Sequence, residues 1–69
     1  MDYRMDNAMN ELNNRVYADG ELKAAFLWTT DAIDYVENES YGYENGMTLI
    51  DANGISRHYL NGEITQTYN

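Results

Sequence analysis

The chain of 69 residues has no cysteine and no proline. Without cysteine there is no disulfide, no thiolate metal site and no thiol nucleophile, and the absence fits a reducing compartment. Bases are scarce: four Lys and Arg stand against twelve Asp and Glu, a formal net charge of −8. The footprint needed for phosphate contacts is therefore missing, which argues against direct binding of DNA, RNA or anionic lipid. No apolar run reaches bilayer length. No basic start followed by a hydrophobic segment marks a secretory leader. The expected location is the cytoplasm, and the length allows one domain, 1–69, that buries only about 60% of its unfolded surface.

What is present is negative charge of uneven distribution. From Ala24 to Ser56 there are six acids (Asp31, Asp34, Glu37, Glu39, Glu44 and Asp51) and no Lys or Arg. Ordinary soluble surfaces intersperse both signs. A solvated, solubility-giving surface and a docking surface for a basic partner are both consistent with this stretch.

Three Asn-Gly pairs stand eight residues apart: Asn45-Gly46, Asn53-Gly54 and Asn61-Gly62. Asn-Gly is the strongest short signal for a two-residue type I′ turn, since both central positions need φ > 0. Six-residue segments between them are ordinary strand length. Two-residue turns set Glu44 against Met47, Ile50 against Arg57, and Tyr59 against Ile64. Alternation then puts Thr48, Ile50, Arg57 and Tyr59 on the face under the helices, and Met47, Leu49, His58 and Leu60 on the other. The first strand, Glu39 to Glu44, is the weakest. The strands differ in sequence, so the spacing marks a regular meander and not a repeated module. Nine asparagines and scattered methionines read as natural, not idealised.

The first half carries helical spacing. Met5, Ala8, Met9, Leu12 and Val16 recur at three and four, with Glu11 and Arg15 placed as an i,i+4 ion pair, predicting a helix over 3–17 that stops at Asp19-Gly20. Leu22, Ala25, Phe26, Thr29, Ile33 and Val36 continue the period. This gives one helix over 21–39, or two jointed at Thr29-Thr30, with Thr30 or Asp31 capping a separate helix that ends near Asn38. A hairpin turning at Asp19-Gly20 ranks lower, because the pattern past Lys23 lacks period two. The expected fold is α+β. One or two N-terminal amphipathic helices, or three helical pieces, lie over 3–38, packed on a C-terminal antiparallel meander of three to four strands over 39–68.

No constellation carries chemistry. Asp51, Ser56 and His58 share a sheet face in this register, but a flat strand offers neither a strained nucleophile turn nor an oxyanion hole. Asp51-Ala52-Asn53-Gly54 resembles the opening of a calcium loop, but the spacing of further ligands fails. No phosphate loop, paired-histidine motif or zinc spacing exists. The reading is a non-enzyme without metal or cofactor.

Two features point to partners. On a helix Asp31, Asp34 and Glu37 follow one face, and Glu39 and Glu44 continue past its end. Seven tyrosines are a large share of so short a chain, and Tyr35, Tyr41 and Tyr43 fall among the acids. Tyrosine rings are frequent interface anchors. The partner-binding set is thus Asp31, Asp34, Tyr35, Glu37, Glu39, Tyr41, Tyr43 and Glu44, with Tyr59 and Tyr68 assigned to the small core.

Small size, strong acidity, abundant tyrosine and absence of cysteine and proline together resemble the small inhibitors of phages and mobile elements, among them anti-CRISPR proteins and other DNA-mimic inhibitors. The likeness is one of profile and assigns no residue roles. It implies a stoichiometric inhibitor in a host bacterial cell whose partner is a basic nucleic-acid-binding protein, a CRISPR effector or another host nuclease complex. The alternative is a self-associating regulatory or structural module, antitoxin-like or a virion accessory protein. The meander's open edges and the Met47, Leu49 and Leu60 island would then build a homodimer. A helix-turn-helix DNA reader is discounted, because Lys23 is the only base in its second and third helices.

Overall fold

A computed structural model describes residues 12–69. Among these residues five antiparallel strands form one sheet, and one helix lies between the second and third: β1 (Asn14–Ala18), β2 (Glu21–Phe26), α1 (Thr29–Glu39), a 3₁₀ turn (Ser40–Gly42), β3 (Met47–Ile50), β4 (Ser56–Leu60) and β5 (Glu63–Tyr68). The strand order is β2-β1-β3-β4-β5. This overturns the expectation of N-terminal helices on a C-terminal meander, since the sheet begins at Asn14.

The reason lies at Asp19-Gly20. Asp19 has φ 54° and Gly20 φ 79°, the two positive values of a type I′ turn, so Ala18 pairs with Glu21 across a tight hairpin. Asp-Gly here does what Asn-Gly does elsewhere; it reverses a strand instead of ending a helix. Asn14, Val16 and Ala18 are buried and alternate with exposed Arg15 and half-buried Tyr17, which is period two. Inserted between β2 and β3, this strand satisfies its backbone on both sides, and that tertiary pairing overrides the helical preference of Ala24-Ala25 and the Leu12–Val16 spacing. The remainder of the expected 3–17 helix, with Tyr3, Met5, Ala8, Met9 and Glu11, lies outside the described residues.

Among the described residues the helix that forms is the piece expected after the Thr29-Thr30 joint. The helix starts after Trp28, whose extended backbone (φ −107°, ψ 135°) occupies the N-cap without a side-chain cap. It buries Ala32 and Val36 on the sheet face that carries Val16, Ala18, Met47, Leu49 and Tyr59; among the described residues these form the core. The expected strand over 39–44 is instead the helix end and the 3₁₀ turn.

The three Asn-Gly pairs give three different turns. Asn61 and Gly62 both take positive φ, and Leu60 pairs with Glu63 and Tyr59 with Ile64, the two-residue hairpin read from sequence. At Asn53-Gly54 the loop has three residues: Gly54 N–H donates to the Asp51 carbonyl (2.9 Å) and Asp51 N–H to that of Ile55 (3.0 Å). The pairing therefore shifts by one, so Leu49 opposes Arg57 and Ile50 opposes Ser56. That slip moves the β3 side chains across the sheet. Met47 and Leu49, expected on the outer face, are wholly buried, and Ile50 is exposed. Asn45-Gly46 closes a turn from Tyr43, whose carbonyl accepts Gly46 N–H at 2.9 Å, and joins no hairpin.

Candidate partner-binding surface

Helical geometry sorts the acidic residues. Ala32 and Val36 point to the sheet, so Asp31, Asp34 and Glu37 emerge on the solvent side, and all three are exposed. Glu39 at the helix end and Glu44 before the Asn45 turn are exposed as well. The structure thus leaves all five predicted acids accessible.

Nothing among the described residues neutralises them. The two ion pairs seen there are Lys23 with Glu21 (3.0 Å) and Arg57 with Asp51 (2.7 Å), so the described bases Lys23 and Arg57 are paired with acids outside this set. Arg15 donates from Nε to the Leu12 carbonyl at 3.3 Å. The hydrogen bond and charge of Glu21 raise the exposed Lys23 ammonium above its ordinary pKa.

The three tyrosines separate. Tyr41 is 67% exposed; its ring edge and hydroxyl lie against the Gly62 turn. Tyr35 is half-buried with its ring centroid 5.3 Å from that of Phe26, and burial, then the Glu39 charge, raises its phenol pKa. Tyr43 is half-buried, with Lys23 Nζ 5.8 Å from its ring centre. Tyr41 is therefore the freely presented ring, while Tyr35 and Tyr43 shield the core's margin. Tyr59 is buried as expected, but Tyr68 is 59% exposed, which corrects its assignment to the core.

Two groups escaped the sequence reading. Trp28 is 63% exposed and its neighbour Leu27 47%; the signal was a lone tryptophan just before a helix start. Asn14 is fully buried and ties four segments. Its Nδ2 donates to the carbonyls of Phe26 (3.2 Å) and Leu27 (3.1 Å), while Oδ1 accepts from Thr29 Oγ1 (2.7 Å) and Ala52 N–H (3.1 Å). No sequence signal marks it, because its partners Phe26, Leu27, Thr29 and Ala52 lie in other elements and loops along the chain.

Asp51, Ser56 and His58 do not assemble. Asp51 Oδ1 accepts the N–H groups of Asn53 (2.9 Å) and Ile55 (3.1 Å), and Oδ2 accepts from Arg57. Burial alone would raise this carboxyl; those N–H groups and the guanidinium outweigh it and hold the pKa below the carboxylate range. His58 instead faces Thr48, Nδ1 to Oγ1 3.0 Å. Among the described residues no group of three or more His, Asp or Glu is placed to hold a metal, and no helix is long and apolar enough to cross a membrane. A cleft of about 310 Å³, with Tyr17, Thr48 and His58 in its wall, opens on the sheet face opposite the helix and shares no residue with the acidic face. No protein-family model, curated protein or solved structure matches the chain.

Proposed function

We propose that this chain is a small acidic binding protein that inhibits a nucleic-acid-handling host protein. It belongs with anti-CRISPR or similar phage anti-defence inhibitors, and it acts in the host cytoplasm by binding and not by catalysis. The observation that carries the reading is the exposed, unneutralised row Asp31, Asp34, Glu37, Glu39 and Glu44. With a net charge of −8 the field speeds encounter with a basic cleft. The carboxylates then pair with Lys and Arg that would otherwise hold phosphates. Tyr41 and Trp28, both exposed, supply apolar anchor area at the two ends of the helix; Tyr35 and Tyr43 contribute their outer edges.

The test is capture of partners from bacterial lysate at low and high salt, with the wild-type chain and a variant carrying Asp31→Lys, Asp34→Lys and Glu37→Lys. The expected result is a nucleic-acid-handling protein retained by wild type at low salt, released at high salt and absent with the variant. Equal capture by the variant overturns the acidic face as the contact. A second reading, self-association, is favoured by the exposed β5 edge.

A further inference from the structure

We propose that the β5 edge pairs antiparallel with β5 of a second copy, about a two-fold axis between Thr65 and Gln66. A strand at a sheet edge leaves alternate N–H and C=O groups without partners, and natural edges are blunted by charge, proline or bulges. The two edges of this sheet differ. Both carry a bulge, and β2 also carries Glu21 and Lys23, joined at 3.0 Å. β5 spans six residues, all exposed, with Glu63 its only charge and with Ile64 and Tyr68 uncovered at 51% and 59%. Among the described residues the helix packs mainly over β1, β2 and β3; the 3₁₀ turn after it meets the Asn61-Gly62 turn, where Ser40 Oγ accepts the Gly62 N–H at 2.8 Å, and the residues of β5 itself stay exposed.

The β4–β5 pairing selects the register. His58 pairs with Gln66 and Tyr59 with Ile64, so Thr65 is an extra residue; its Oγ1 donates to the His58 carbonyl at 3.3 Å. A bulge sets two residues against one, so Thr65 and Gln66 share the His58 side. Glu63 and Tyr68 lie on that open side with their partners Leu60 and Ser56; Ile64 and Thr67 lie on the helix side with Tyr59 and Arg57. The face pattern of β5 consequently reads the same from either end. In an unbulged strand, a two-fold axis between residues would set opposite faces against each other. Here it sets Glu63 against Tyr68, Ile64 against Thr67 and Thr65 against Gln66, each pair on one face. No carboxylate meets a carboxylate. The result is a ten-stranded sheet with both acidic helices on the same side.

Charge makes the association distinctive. Two chains of −8 repel, so the dimer strengthens as salt shortens the Debye length, from roughly 30 Å at 0.01 M to roughly 3 Å at 1 M. Docking on a basic partner weakens under the same change, so failure of either proposal is read separately.

Sedimentation equilibrium of the full chain at low and high salt is the test. The expected result is a dimer fraction that grows with concentration and with salt, and falls at least about tenfold in affinity, ~1.4 kcal/mol, in Thr65→Lys/Gln66→Lys. That variant lowers overall repulsion yet opposes like charges at the axis, so a non-specific charge effect would move it the other way. A second measurement uses the cysteine-free background. Ile64→Cys/Thr67→Cys should oxidise to a covalent dimer, while Ile64→Cys alone, about three residues of strand from its own copy, should not. Monomer at all concentrations and salts, an undiminished dimer in the lysine variant, or equal cross-linking of both cysteine variants overturns the proposal. Occupation of β5 by a strand of another protein, with no self-pairing, also overturns it.

Discussion

Asn14 Oδ1 accepts the Thr29 hydroxyl at 2.7 Å across fifteen residues of chain. One amide thereby joins the start of β1, the end of β2, the first residue of α1 and the β3–β4 loop, because the same side chain also binds Phe26, Leu27 and Ala52. The helix that carries the acidic row is positioned by this bond. Asn14→Leu removes it and strands buried donors and acceptors, each costing about 1–3 kcal/mol. A loss of about 3 kcal/mol in urea-unfolding free energy is expected, a large part of what a domain this size has. A loss below about 1 kcal/mol would show that water replaces the amide.

Acid should unlock the β3–β4 loop. A carboxyl whose native pKa is depressed contributes stability above its unfolded pKa and loses it as pH falls through the native one. Asp51 is of this kind. Asp51→Asn should cost about 2 kcal/mol at neutral pH. The gap from wild type should narrow only once the pH falls below the ordinary aspartate range. Parallel stability curves throughout would contradict the Arg57 pairing.

Glycines that look alike in sequence should not respond alike. An added Cβ at Gly46 (φ +76°) would overlap the Tyr59 carbonyl oxygen, whereas at Gly54 (φ +82°) it would meet nothing within 4 Å. Gly46→Ala should therefore cost about 3 kcal/mol, from strain plus overpacking. Gly54→Ala should cost about 1 kcal/mol, from strain alone. Thermal melts of the two variants decide it, and equal shifts would refute the contact with Tyr59.

Trp28 occupies an N-cap position with the extended backbone that position requires and no capping side chain. Trp28→Ser should add a cap and gain about 1 kcal/mol, raising Tm by about 4–8 °C. In the capture experiment the same variant should bind the partner more weakly. A stabilised variant that keeps full capture would leave Trp28 no part in binding.

The hairpin of Asn61-Gly62, a helix after the Thr29-Thr30 joint and the exposure of five acids were legible from short-range pattern. What was not legible depended on contacts between distant segments. Val16 fits both a helical and an alternating pattern, and only pairing with Leu49 and Ala24 makes it a strand residue. Met47 and Leu49 were assigned to the outer face because one residue in the β3–β4 loop could not be counted from Asn-Gly alone. The Asp51 carboxylate, bonded to Asn53 and Ile55, sets that loop's length. Tyr35 and Tyr43 stood among acids in sequence, yet Phe26 and Lys23 of β2 hold them half-buried.

The sequence by itself determined the charge, the exclusion of thiol chemistry and the places where the chain turns, because composition and left-handed backbone are properties of residues and their immediate neighbours. The tertiary structure decided whether residues 14–26 are helix or hairpin, which face of β3 is buried and which tyrosines are presented. Each of those is a competition between local preference and contacts made by a neighbouring strand or loop, and in so small a core the tertiary partner prevails.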